Sequence, residues 1–210
     1  MKKHVFLLVL ITLLFSLSSA VAQSKYRKKH EPQYGLGIKG GVNYSGQSTP
    51  GGSDIVDVEN IIRMNAGVYY NYFFTDNFAI QPELMVSGKG VHWKDQFFNA
   101  NDILTYIDIP ILIKYQPVSL FNVHAGPEFG YLISATQKNI DNSQKTDIKD
   151  YYKKYDMGVA VGIEVNLPFR VNLTMRYVLG LISATTDSQY DQPWKNNFFQ
   201  ISAGYRILGK

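Results

Sequence analysis

His124 and Glu128 lie four residues apart. In an extended chain that even spacing puts both side chains on one face. A histidine beside a carboxylate is the arrangement of an oriented general base. No nucleophile motif accompanies the pair, so no catalytic residue is assigned. His92 has no histidine or carboxylate partner at a recognisable spacing. Asp141, Asp147 and Asp150, with Asn139 and Asn142, offer oxygen ligands, but lysines intervene and the spacing fits no calcium-loop template. They read as a solvated loop. Trp93, Phe97, Phe98 and Trp194 read as aromatics packed at a membrane rim, with binding of a partner or glycan as the alternative. The chain has no cysteine, which excludes disulfides and thiolate metal sites. No metal and no cofactor is expected.

Ten charged residues, Glu128 among them, share a different logic. They are Lys39, Glu83, Asp108, Lys114, Glu128, Asp156, Glu164, Arg170, Arg176 and Arg206. Five are cations and five are anions, and each falls on the polar face of a segment that alternates apolar and polar residues. In the segment 105–115, Ile107, Ile109, Ile111, Ile113 and Tyr115 share one face, while Asp108, Pro110, Leu112 and Lys114 share the other. Seven more segments alternate in the same way: 34–44, 63–73, 78–87, 121–131, 155–165, 170–180 and 199–207. A period of two over about ten residues is the signature of a tilted membrane-crossing strand.

The connections alternate as well. Links 74–77, 116–119 and 166–168 are short; links 45–62, 88–101, 134–152 and 183–197 are long and polar. This layout predicts an all-β fold: an eight-stranded antiparallel up-and-down transmembrane β-barrel with short periplasmic turns and long extracellular loops. A soluble lipocalin-like barrel also has eight alternating strands, with its apolar face inward. The glycine-rich, charge-balanced face decides between them. A narrow interior needs small residues for room and opposite charges for neutrality. The ten charges are therefore expected to form a structural network in a largely closed lumen, and the apolar face is expected to meet outer-membrane lipid. Tyrosines and phenylalanines (15 and 12) gather near the segment ends, as interfacial girdles do.

The N-terminus reads as a targeting signal. Lys2 and Lys3 precede an apolar run over 5–17 and the small-x-small site Ala20-Val21-Ala22. Residues 1–22 are predicted to be a signal peptide, 23–33 a basic periplasmic segment (Lys25, Arg27, Lys28, Lys29, His30) and 34–210 the outer-membrane barrel. The formal net charge of +4 does not point to nucleic acid, because no aromatic–basic patch accompanies it.

The pieces QPELMVSGKG (81–90), YIDIPILIKY (106–115), HAGPEFGYLIS (124–134), YDMGVAVGIEV (155–165) and ISAGYRI (201–207) resemble the PorT-type outer membrane β-barrel proteins of Gram-negative bacteria. The resemblance implies a compact barrel in a family mostly without assigned activity, whose namesake is associated with protein secretion. The expected function is a non-enzymatic barrel with a structural, adhesion or secretion-accessory role. A protein partner would bind through its long loops or periplasmic side. A small channel and a rim-acting lipid A-modifying enzyme are the alternatives. Pro82, Pro110 and Pro127 fall inside three consecutive strands, where each lacks a ladder donor, and bulges or loosened pairing are expected there.

Overall fold

In the computed structural model, residues 33–48, 57–94, 99–140, 142–186 and 194–209 are described. The expected signal peptide, nearly all of the basic segment, Phe97, Phe98 and Asp141 lie outside them. Nine strands follow in order: β1 (Gln33–Ser48), β2 (Asp57–Phe73), β3 (Phe78–Lys94), β4 (Asn99–Val118), β5 (Phe121–Asn139), β6 (Lys145–Asp147), β7 (Tyr155–Asn166), β8 (Val171–Gly180) and β9 (Lys195–Gly209). Eight of them close a ring, β1-β2-β3-β4-β5-β7-β8-β9 and back to β1, and every pairing is antiparallel. Closure leaves the membrane-crossing part no unpaired edge, which is what lipid demands of a sheet. The three-residue β6 adds to β5 beyond the point where β7 begins.

The ring is inside-out relative to a water-soluble protein. Ile38, Val42, Val68, Leu84, Ile109, Ile113, Val161 and Ile201 all lie outward and exposed. Lys39, Asn43, Glu83, Asp108, Lys114, Glu164 and Arg176 are buried inside. Such an outward belt is stable only against hydrocarbon.

Several strands run longer than the expected ten residues. β3, β4 and β5 contain 17, 20 and 19 residues, against the roughly 9–11 that cross a bilayer. Much of the expected long link 88–101 is therefore strand. The reason is a change of solvent along the strand. Past Lys89, Tyr106 and Gly130 apolar side chains appear on the inward face (Val91, Leu104, Leu132) beside the buried Asp102, and polar ones appear on the outward face (His92, Thr105, Thr136). Backbone pairing continues, but the polarity of the two faces inverts once water replaces lipid.

The prolines loosen pairing without adding bulges. The ladders skip Tyr70/Asn71 against Gln81/Pro82, Glu83/Leu84 against Ile109/Pro110, and Ile111/Leu112 against Gly126/Pro127. Register is unchanged across each gap. Each proline interrupts its ladder with the preceding strand, where its missing N–H would point, and keeps pairing with the following one. The register shifts near the loop end lie elsewhere: Ile133 is an extra residue in β5 opposite Thr105 and Tyr106, and the β2–β3 ladder shifts between Asn60 and Asn65.

Candidate functional site: a charged lumen closed at one end

Strand alternation delivers one inward side chain every second residue from each of eight strands. Register then decides which of them meet. Lys39 on β1 reaches Glu83 on β3 at 3.0 Å, and Arg176 from β8 grips the same carboxylate with two bonds of 2.8 and 3.1 Å. Gln81 donates to Glu83 Oε1 at 2.7 Å and accepts from Lys114 Nζ at 2.8 Å. Lys114 in turn pairs with Glu164 at 2.6 Å, and Asn122 and Thr174 donate to that carboxylate as well. Three cations and two carboxylates thus form one connected group in the periplasmic half.

The extracellular half is built differently. Lys89 Nζ lies 3.1 Å from Asp108, 3.4 Å from Asp156 and 3.6 Å from Glu128. The ring centroids of Tyr106 and Phe198 sit 4.6 and 4.9 Å from the ammonium. Asn196 donates to Asp156 at 2.9 Å, whereas Glu128 Oε1 has no hydrogen bond. Between the halves lies an uncharged layer. Asn43 donates to Ser87 and accepts from Asn65 and Gln200, and Ser202 donates to Asn65.

Eight of the ten expected charges therefore lie buried in the lumen, and two do not. Arg170 sits exposed in the turn before β8, where Phe169 and Arg170 take φ of 62° and 66°. Alternation cannot be counted back through a left-handed turn. Arg170 instead donates to the Ile207 carbonyl at 3.2 Å. Arg206 points inward but is half-buried at the periplasmic mouth and makes no ion pair with the lumen carboxylates. The cation missed by the sequence reading is Lys89, which lies beyond the apparent end of its alternating segment at Ser87.

His124 and Glu128 share a face but do not form a dyad. Glu128 turns to Lys89, and neither ring nitrogen of His124 has a hydrogen-bond partner. The imidazole lies over Gly162, where an added Cβ would come within 2.6 Å of Nε2. His92 lies within β3, with Nδ1 2.7 Å from Asn101 Oδ1. Asp147 is in β6, where its Oδ1 accepts the Lys149 N–H, and Asp150 is in the following 3-10 turn. No group of three or more His, Cys, Asp or Glu able to hold a metal occurs among the described residues.

The two ends differ. At the extracellular end Leu104, Tyr106, Leu132, Ala135, Ile148, Tyr152 and Ala184 form an apolar plug. Ile148, Tyr152 and Ala184 come from connections, so the loops fold back over the barrel. Backbone bonds such as Ile148 N–H to the Ala135 carbonyl hold them there, and Asp102 adds a buried anchor, accepting from Tyr152 Oη at 2.7 Å as well as from Trp93 Nε1 and Gln137 Nε2 at 2.9 Å. Burial and the Asp102 carboxylate push the Tyr152 hydroxyl well above the usual tyrosine range. Trp194 packs edge-on to Trp93, with centroids 5.1 Å apart. The periplasmic end instead opens into a polar cavity of about 310 Å³. Its inner wall is formed by Tyr69 and Asn172, whose side chains cross the lumen and hydrogen-bond at 2.9 Å.

The outer membrane protein beta-barrel domain family matches residues 21–186 of the chain. No curated protein matches the sequence. Among solved structures the chain is similar to Neisserial surface protein A, at 9% identity over 85% of this chain and 100% of that one, with a TM-score of 0.53. It is also similar to Ail, the attachment invasion locus protein of Yersinia pestis, at 15% identity over 83% of this chain and 99% of that one, with a TM-score of 0.50. At these identities the likeness is one of fold.

Proposed function

This chain belongs to the outer membrane protein β-barrel domain family and resides in the bacterial outer membrane, and from that premise we propose that it is a non-enzymatic, non-conducting barrel that works through its two ends. The observation that carries this reading is the filled lumen. Buried ion pairs occupy both halves, and an apolar plug seals the extracellular end. An eight-stranded ring leaves an interior just wide enough for its own side chains. Solutes have no continuous path through it.

What remains available to partners is the extracellular extension of β3, β4 and β5, with β6 on its flank, and the periplasmic mouth. An adhesion role would use the first and a secretion-accessory role the second. The narrower PorT-type assignment belongs to this proposal and favours the second. The lipid-modifying alternative would need a base at the rim beside a nucleophile; His124 is held inside the barrel against Gly162, and His92, which lies at the extracellular end with Nδ1 on Asn101 and Nε2 4.0 Å from Glu59, has no nucleophile motif beside it. Planar-bilayer recording on the purified protein tests the reading. It predicts no stable openings; steady, solute-sized conductance would return the channel alternative.

A further inference from the structure

We propose that the outward rim beside the connection from β6 to β7 is a binding site for the phosphate groups of an outer-leaflet lipid. This goes beyond the reading that the barrel works through its two ends, and it stands whether or not the lumen conducts.

The site starts at the irregularity in β5. Ile133 is paired in none of the ladders that β5 makes with β4, β6 and β7. Its side chain is exposed on the lipid-facing surface. Next to it the rings of Tyr131 and Tyr155 pack edge-on, 5.6 Å apart, as part of the outer aromatic girdle. The Ile133 carbonyl accepts a bond of 2.7 Å from Lys149 Nζ. That bond holds the ammonium at the upper edge of the hydrocarbon belt. An ammonium has three donors, and this bond uses one. Lys153 and Lys154 follow on the same connection and are exposed. Their backbone is fixed on both sides. Lys153 N–H donates to the Ala184 carbonyl at 2.7 Å, and the Lys154 carbonyl accepts from Leu132 N–H at 2.8 Å. Tyr152, just before them, is anchored to Asp102. Lys153 is two residues from Tyr155, roughly 7 Å along an extended chain. Three cations are thus set side by side directly above the girdle.

The charges and their height select the ligand. Among the described residues no carboxylate forms an ion pair with Lys149, Lys153 or Lys154. Asp150 is the one acidic residue between them, so the segment keeps a positive surplus. The opposite end has none: the turns 74–77, 116–119 and 166–170 hold one cation, Arg170, and one anion, Asp76. Lysine binds phosphate as a point charge, and basic clusters at a membrane surface attract anionic headgroups. The ligand must also meet Ile133 and the tyrosines just below. Phosphate directly above acyl chains satisfies both demands, and in the outer leaflet that is the chemistry of a phosphorylated glycolipid.

Native mass spectrometry of the full-length folded barrel in detergent micelles tests the proposal. The probes are bisphosphorylated lipid A, the same lipid A with both phosphates removed, and glucosamine 1-phosphate. The bisphosphorylated lipid should bind at least about tenfold tighter than the dephosphorylated one, since each lysine near an anionic surface is worth about fivefold. The triple variant Lys149→Gln, Lys153→Gln, Lys154→Gln should abolish that preference while heat-modifiable gel mobility stays unchanged. Arg170→Gln, at the opposite end, should leave it intact. Should the triple variant misfold, Lys153→Gln alone, at an exposed position, should weaken the bisphosphorylated lipid about fivefold and leave the dephosphorylated one unaffected. Equal binding of the two lipids, full preference in the folded triple variant, or an equal loss in Arg170→Gln would overturn the proposal. Glucosamine 1-phosphate binding as tightly as the lipid would overturn it too, by making a free sugar phosphate the occupant. Conductance bears only on the closed-lumen reading, so the two ideas fail separately.

Discussion

The two halves of the lumen solve the same problem in opposite ways. In the periplasmic half, Glu83 is one carboxylate held by two cations, and Lys39, Lys114 and Arg176 outnumber Glu83 and Glu164. In the extracellular half, Lys89 is one cation facing three carboxylates. The first cluster has a spare cation and the second has spare anions. Taking a charge out of water costs several kcal/mol unless it is paired. Each cluster therefore depends on its scarce member and tolerates loss of an abundant one. Together the clusters hold four cations and five carboxylates, with the excess cation in one half and the excess anions in the other, and the neutral Asn43–Asn65–Gln200 layer lies between them.

This contrast orders the effects of single substitutions. Lys89→Met should be the most damaging, at about 5 kcal/mol, because it leaves three buried carboxylates together. Urea unfolding in lipid vesicles reads the loss, and a cost under about 2 kcal/mol would break the comparison. Glu83→Gln comes next, at about 3 kcal/mol, since Lys39 and Arg176 lose their shared anion while Lys114 and Glu164 stay paired. Lys39→Met should cost about half as much, because Arg176 keeps both of its bonds to Glu83. The ratio of the two lysine variants measures the asymmetry directly. Tyr152→Phe removes one bond to Asp102 and should cost about 1 kcal/mol, seen as earlier protease cutting of the extracellular connections. Glu128→Gln should be within about 0.5 kcal/mol of neutral, because it relieves an excess of negative charge around Lys89. A large cost there would mean that the extracellular half is not over-supplied with anions.

Much of this was legible in the sequence, for a physical reason. Lipid outside and a narrow polar interior impose a period of two that survives in composition. Ile107, Ile109, Ile111 and Ile113 against Asp108 and Lys114 state it in a single strand. Legibility stops where the solvent changes. Above Lys89 apolar residues appear on the inward face and polar ones on the outward face, so the strand continues while the pattern that announced it reverses. Lys89 stands at that point and looked like a loop residue, although it is the hub of the extracellular cluster. The alternation Glu83-Met85-Ser87-Lys89, unbroken as far as Lys89, was the available signal. Arg170 failed for the opposite reason: the pattern was extended through a turn whose left-handed residues break alternation. The plug was not legible, because Tyr152 and Ala184 reach it through connections whose course no periodicity records. The prolines were legible as an irregularity but not in kind, since loosened ladders and bulges predict the same composition.

The central claim is a lumen closed from outside and open toward the periplasm. The absence of native cysteine makes it directly testable by single-cysteine labelling in intact and in permeabilised cells. Asn71→Cys, at the periplasmic mouth, should react with a membrane-impermeant maleimide only once the periplasm is accessible. Ser202→Cys, in the neutral layer, should react in neither state, and Val161→Cys, on the lipid face, should react only with a lipid-soluble reagent. Labelling of Ser202→Cys in intact cells would contradict the account, because it would show a water path through the extracellular plug.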